Sequence, residues 1–196
     1  MSRFMKYRIN EIFFSIQGEG CNTGEPAVFV RFSGCNLSCP WCDTDFVHFR
    51  EMTASEIAAE VVRFWPSKEK APFVVLTGGE PALQVDEALI EALHKQHCYI
   101  AIETNGTHAL PDGIDWVTCS PKPNTTLALT HADEVKVVFP NTINPEDWRQ
   151  QISSEHWLLQ PLDKNGVNNV EQVLDYIRTH STWRLSAQLH KLLRIK

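Results

Sequence analysis

"AVFVRFSGCNLSCPWCDTDF", residues 27–46, is the stretch whose reading decides this chain. Its first six residues are rich in Val and Phe, the composition of a strand. They run through Ser33–Gly34 into three cysteines spaced Cys35-x3-Cys39-x2-Cys42. A strand that empties into a thiol-bearing loop places that loop at a strand's carboxyl end, where α/β sheets bind their ligands.

The same arrangement recurs along the chain. "PFVVLTGGEP" (72–81) is a buried strand ending in a glycine turn, and "YIAIET" (99–104), "WVTCS" (116–120), "EVKVVF" (134–139) and "HWLLQPL" (156–162) read as further strands. A capping-box pattern, Thr53 with Glu56, opens a helix that Pro66 stops near Trp65. Helical periods follow at 85–97 and 170–180, a short helix is expected near 145–152, and "WRLSAQL" (183–189) reads as a last strand. Alternating strands and helices specify a parallel α/β sheet with helices outside. Residues 105–115 and 121–133 carry no helical period, so loops replace helices there. The expected architecture is a modified, incomplete (βα) barrel in one domain spanning 1–196. Polar clusters close five of its strands: the cysteine loop, "TGGEP", "ETNGT", "SPK" and "QPL".

Composition narrows the function. The chain has 196 residues, 43% hydrophobic and 21% charged, with a formal net charge of −6. Nucleic acid would call for a basic face, so it is not the expected partner. No apolar run approaches a membrane span, and "MSRFMKYRINEIF" has no signal-peptide core, so no membrane association and a cytoplasmic location are expected. Reduced thiols belong to that compartment, and six cysteines there suggest metal or catalytic chemistry over disulfides.

Three clustered thiols admit two readings. A structural zinc site would need a fourth ligand, for which Cys21, Cys98, Cys119 or His48 could serve. A [4Fe–4S] cluster held by three cysteines would instead leave one iron open to a reacting ligand. The spacing, with Trp41 before the third cysteine, resembles the radical S-adenosylmethionine (SAM) superfamily, and "TGGEP" resembles its glycine-rich stretch. Further stretches, "FFSIQGEGCNTGEPAVFVRFSGCNLSCPWCDTDF", "IETNGT", "SPK", "LQPL" and "WRLSAQLHKLLRI", are similar to the 7-carboxy-7-deazaguanine synthase family over nearly the whole chain. Another radical enzyme, such as a glycyl-radical activase, would share the cysteine loop but not "SIQGEG" or "SAQLHK". A zinc-stabilised binding module without catalysis is the third alternative. Colour and visible absorption after anaerobic purification separate cluster from zinc.

The resemblance implies a carbon–nitrogen lyase. It contracts the ring of 6-carboxy-5,6,7,8-tetrahydropterin to 7-carboxy-7-deazaguanine with loss of ammonia, in 7-deazapurine (queuosine) biosynthesis. It implies a shortened barrel, a [4Fe–4S] cluster, SAM and Mg2+, a flavodoxin-like protein reductant and a homodimer. Carried over position by position, Cys35, Cys39 and Cys42 hold the cluster. Trp41, Cys42, Asp43, Gly79, Glu80, Thr104, Asn105, Ser120, Pro121, Lys122 and Gln160 surround SAM. Ile16, Gln17, Gly18, Glu19, Arg31 and Thr77 take the pterin, with Arg31 clamping its carboxylate, and Thr44 supplies an oxygen to Mg2+. The radical comes from the cofactor, so no side chain is assigned to the chemical step. The pterin residues have a chemical rationale of their own: Gln17 and Glu19 offer the donors and acceptors a pterin edge needs, and Arg31 a bidentate fork. Cys21, Cys98 and Cys119 read as ordinary thiols; His190 could approach the substrate, but a histidine in a last strand is more often packing or surface.

Overall fold

A computed structural model describes residues 5–42, 47–164 and 167–196. In chain order the elements are β1 (Tyr7–Ile16), β2 (Pro26–Phe32), β3 (Arg50–Met52), α1 (Ala54–Phe64), β4 (Phe73–Gly78), α2 (Glu87–His94), β5 (Tyr99–Thr104), β6 (Trp116–Cys119), β7 (Glu134–Phe139), β8 (His156–Pro161), β9 (Asp163–Lys164), β10 (Val167–Asn168), α3 (Val170–Thr179), β11 (Arg184–Leu185) and α4 (Leu189–Leu193). Nine strands form one open sheet in the order β11-β8-β7-β6-β5-β4-β2-β1-β3, and β9 and β10 pair separately. From β2 to β11 the pairing is parallel; β1 and β3 are antiparallel additions at one edge. An unclosed, mostly parallel sheet is the incomplete barrel the sequence implies. The connections after β5 and β6 are helix-free, as expected.

Local chemistry explains the helices. Thr53 caps α1 reciprocally with Glu56, and the helix buries Ile57, Ala58 and Val61. Asp86 caps α2 by accepting from the Leu89 amide, and the same carboxylate accepts from the Tyr7 hydroxyl at 2.5 Å, tying α2 to β1. Val28, Val30 and Phe32 of β2 and Val74 and Leu76 of β4 meet these helices in the main core.

Alternation puts the other residues inside. Register aligns Glu11 with Arg31, Arg31 with Thr77, Val75 with Ala101, and Glu103 with Thr118. It goes on through Glu134 to His156, and from Lys136 to Leu158. The inner face is therefore apolar low down, where Ala27, Val75 and Ala101 pack with Phe29, Phe73 and Trp116. Its upper part is polar.

Several elements, β3 (Arg50–Met52) among them, differ from the sequence reading. β1 escapes a hydrophobic scan because its inner-face positions include Glu11 and Ser15 and its outer edge pairs with β3. Residues Pro145–Gln150 form a 3-10 turn and no α-helix, Pro145 and the Asn144 cap favouring a tight start. The last strand is only Arg184–Leu185, and Leu189–Leu193 turn into the short helix α4. β9 and β10 were not foreseen. Among the described residues no helix is long and apolar enough to cross a membrane.

Candidate active-site cavity

One cavity of about 650 Å³ opens at the carboxyl ends of the parallel strands. Its walls hold Cys35, Cys39, Trp41, Cys42, Gly79, Glu80, Thr104, Asn105, Ser120, Lys122 and Gln160, together with Ile16, Gln17, Gly18, Glu19, Arg31 and Thr77. Of the residues singled out from sequence, Pro121 is buried but does not line it. Asp43 and Thr44 lie outside the described residues.

The cysteine side is knitted to the ends of β4 and β5. Gly79 donates its amide to Phe32 O at 3.0 Å and Glu80 to Gly34 O at 2.8 Å, so the glycine turn extends the pairing of β4 with β2 into the cysteine loop. A Cβ on Gly79 would fall 2.0 Å from Gly34 O, an approach only glycine allows. The Glu80 carboxylate, 1% exposed, accepts from Ala82 N at 3.0 Å, Thr104 Oγ1 at 2.6 Å and Asn105 N at 2.7 Å. That uses three of its roughly four acceptor positions. Asn105 donates from Nδ2 to Asn36 Oδ1 at 3.0 Å, and Asn36 donates from Nδ2 to Thr107 Oγ1 at 2.9 Å. Both ends of the Asn36 amide are thus held by the β5 terminus. Lys122 Nζ donates to the Ser120 carbonyl and hydroxyl, and burial pushes it below the usual lysine range.

The donor set suits an iron–sulfur cluster. Three thiols line one cavity. Burial pushes the Cys35 thiol up, a Leu37 amide bond to its sulfur opposes this, and Glu80, Cys39 and Cys42 add to it, so the three sulfurs lie within electrostatic reach of one another. Among the described residues no three His, Cys, Asp or Glu side chains are gathered tightly enough for a single metal ion. A cubane spreads its thiolates over separate irons and does not require that. The candidate fourth ligands of a zinc site stand elsewhere: Cys21, His48, Cys98 and Cys119 line no part of the cavity. Burial pushes Cys98 up to about 11 and Cys119 up to about 12, as expected of thiols acting as small hydrophobes.

The opposite side is built by long-range contacts. The turn between β1 and β2 swings across the sheet's inner face: Gln17 Nε2 donates to Glu103 Oε1 at 3.1 Å, Gly20 N to Ser186 Oγ at 3.1 Å, and Cys21 N to Glu134 Oε2 at 2.7 Å. Gly20 has φ +72°, and a Cβ there would meet Glu134 Oε1 at 2.1 Å. The C-terminal segment returns over this turn, with Leu189 N donating to Gly18 O at 2.9 Å and Gln188 Nε2 to Glu19 Oε1 at 2.8 Å. Together they bridge the gap between the edge strands of the open sheet. Arg31 donates Nε to Glu11 Oε1 at 3.1 Å, its guanidinium lies 5.8 Å from the Phe13 ring centroid, and the residue lines the cavity.

Several cavity groups escaped the sequence reading, among them Glu11, Glu103, Lys136, Gln188 and Lys191. Glu103 and Lys136 sit inside strands, where strict alternation in register with Arg31 and Thr77 could have flagged them. Gln188 and His190 line the cavity from the segment that enters α4, so His190 is no strand residue.

A profile described as the radical SAM superfamily matches residues 29–121. The 7-carboxy-7-deazaguanine synthase of Bacteroides thetaiotaomicron is 50% identical over 192 residues, covering 98% of this chain and 100% of that protein. The protein of the same name from Nitratidesulfovibrio vulgaris is 44% identical over 218 residues, with 97% and 100% covered. The crystal structure of QueE from Escherichia coli superposes with a TM-score of 0.73 at 27% identity, over 95% of each chain.

Proposed function

This chain belongs to the 7-carboxy-7-deazaguanine synthases of the radical SAM superfamily, and on that premise we propose how its residues divide the work. The enzyme converts 6-carboxy-5,6,7,8-tetrahydropterin to 7-carboxy-7-deazaguanine by radical ring contraction with loss of ammonia, and its cofactors are a [4Fe–4S] cluster and SAM. When bound and reduced, the cluster supplies the electron that turns SAM into the source of a 5′-deoxyadenosyl radical.

The observation that carries the assignment of roles is the single cavity. Cys35, Cys39 and Cys42 line it together with Gln17, Glu19 and Arg31. Cys35, Cys39 and Cys42 hold the cluster. Trp41, Gly79, Thr104, Ser120, Lys122 and Gln160 contact SAM. Glu80 and Asn105 spend most of their hydrogen bonds inside the protein, so their main work is to fix the loop that SAM meets. The Arg31 terminal amines grip the pterin carboxylate, oriented by the Nε bond to Glu11. Ile16, Gln17, Gly18, Glu19 and Thr77 take the pterin ring.

Asp43 beside SAM and Thr44 as a Mg2+ ligand belong to the same proposal. Mg2+ retains waters and prefers few protein oxygens plus those of the substrate, which suits a lone hydroxyl and a pterin carboxylate. Residues 1–196 act as one domain. A flavodoxin-like reductant, a homodimer and a cytoplasmic location complete the proposal. The test is anaerobic reconstitution with iron and sulfide, followed by incubation with the carboxytetrahydropterin, SAM and a reductant. Mass analysis should find the deazaguanine carboxylate, absent without SAM, and SAM should be conserved over many turnovers, because loss of ammonia is redox-neutral and any hydrogen taken from the pterin must return to it. Cleavage of SAM without consumption of the pterin would overturn the substrate assignment.

A further inference from the structure

Strand β7 carries a lysine in its buried middle. Lys136 is 3% exposed, and its Nζ donates to Glu19 Oε2 at 2.5 Å and Glu103 Oε2 at 2.8 Å. The second oxygen of each carboxylate is also engaged, Glu19 by Gln188 and Glu103 by Gln17. Lys136, Glu19, Glu103, Gln17 and Gln188 all line the cavity. A buried ion pair is a poor device for stability, because desolvation consumes most of the attraction and an apolar residue serves as well. A lysine here calls for another account.

We propose that Lys136 is a positioning residue for the pterin, holding the carboxylates of Glu19 and Glu103 side by side as a paired acceptor wall for the N–H donors of an aminopyrimidinone ring. The proposal rests on the reading that Gln17 and Glu19 face the pterin. Glu19 arrives on a turn that Gln17 and Cys21 dock against Glu103 and Glu134, so the carboxylates of Glu19 and Glu103 converge in one pocket. Two carboxylates in one low-dielectric pocket repel unless a cation joins them or they share a proton. A shared proton would present an O–H where the ring must donate. Burial would raise Glu19, but the Lys136 charge and hydrogen bond, with Gln188 and His190, override it and bring Glu19 down to about 2. For Glu103, burial wins over Lys136, with Glu19 and Glu134 adding to it, so its carboxyl stays above the usual range. Lys122 stands within electrostatic reach of Lys136, His190 within reach of Glu19, and Arg31, Lys191 and Lys196 line the same cavity. Glu103 is therefore the carboxylate most dependent on Lys136.

Binding of the carboxytetrahydropterin to SAM-loaded, unreduced enzyme tests this without turnover. Titrations would run from pH 6 to 8.5 in two buffers of different ionisation enthalpy. Lys136→Met should bind the pterin at least about tenfold more weakly at the acid end, equivalent to about 1.4 kcal/mol. Its affinity should fall by up to about tenfold per pH unit on acidification, with more proton release on binding than the wild type shows. SAM affinity and iron content should be unchanged. The double variant Lys136→Met/Glu103→Gln removes one carboxylate along with the cation and so keeps the test alive if the single variant fails to fold. It should bind about tenfold more weakly than the wild type but without the extra proton release. Wild-type affinity in the double variant, or wild-type proton linkage in Lys136→Met, would overturn the proposal. If the wild type does not bind the pterin at all, the substrate reading falls and this inference with it.

Discussion

On the cysteine side of the cavity, the site is fixed by glycines, amides and one carboxylate that joins neighbouring strand ends. Gly79 and Glu80 pair with Phe32 and Gly34, and Asn36 is held by Asn105 and Thr107. On the pterin side, charged groups from distant parts of the chain meet: Glu19 with Lys136 and Gln188, Gln17 and Lys136 with Glu103, Arg31 with Glu11. The difference follows from what each side receives. A cluster brings its own charge and strong bonds, so its loop needs shape and close backbone approach. An uncharged ring edge brings only hydrogen bonds, so the protein must supply oriented charges and neutralise them in advance.

The largest effects should come from the cysteine side. Replacing Cys35, Cys39 or Cys42 by Ala should abolish turnover and lower bound iron, since each thiolate serves one iron. Cys98→Ala, in the core and away from the cavity, should keep its iron. Iron and sulfide assays check both, and iron loss confined to Cys98→Ala would reverse the picture.

Gly79→Ala is next. A Cβ placed 2.0 Å from the Gly34 carbonyl must push the cysteine loop away, because backbone cannot yield as a side chain can. Overpacking of this kind costs about 1–3 kcal/mol. The cost should appear as poor cluster incorporation and weaker SAM binding in a folded protein, while pterin affinity changes little. Equal loss of both affinities would show that the two sides are not separable.

Arg31→Lys probes the pterin side alone. An ammonium cannot both hold Glu11 through a fixed Nε and offer a parallel pair of donors. Pterin affinity should drop by about ten- to hundredfold, as for loss of a charged hydrogen bond, with SAM affinity retained. Separate titration of each ligand decides it.

Asn36→Ala should act more gently. It removes two partly exposed hydrogen bonds of about 1 kcal/mol each from a loop that the Gly34 and Phe32 pairings still anchor. Iron content after reconstitution should be near normal, but iron should leave several times faster under a chelator. Wild-type release kinetics would show that backbone pairing alone holds the loop.

Acid stability should change least. Glu19 has its folded pKa lowered to about 2. Its stabilisation is therefore present above the unfolded carboxylate value, about 4.3, and is lost as pH falls toward 2. Glu103 has its folded pKa raised, so its contribution runs the other way and strengthens on acidification. The two act in different windows: the Glu103 gain accrues on acidification toward about 4.3 and is complete there, and the Glu19 loss runs from about 4.3 toward 2. Glu103→Gln should lose the gain above about 4.3 and keep the loss below it in denaturant melts. Parallel profiles for the two would mean that Glu19 and Glu103 are not opposed.

Legibility in the sequence divided along the same line as the two walls. The thiol spacing, the glycine turn, the capping box of α1 and the helix-free connections are local patterns, governed by backbone conformation over a few residues, and they emerged from the chain in order. β1 did not, because its hydrophobic signal is interrupted at Glu11 and Ser15 on the sheet's inner face. α4 did not, because five residues of "LHKLL" have too little helical preference to outweigh a strand reading until the Gly18 carbonyl and the rest of the turn receive them.

Family, fold type and the cysteine loop were thus determined by sequence alone, since each is written in residues that are near neighbours. What only the tertiary structure decided is the meeting of Glu19, legible in its turn beside Gln17, with Glu103 and Lys136. Those two are single letters in two apolar strands, and each alone is unremarkable. Their meeting depends on a parallel register carried strand to strand from Arg31 through Thr77 and onward, and on a turn that crosses the open barrel. A buried charge is tolerable only once its partners are in place, and those partners are set by the fold as a whole.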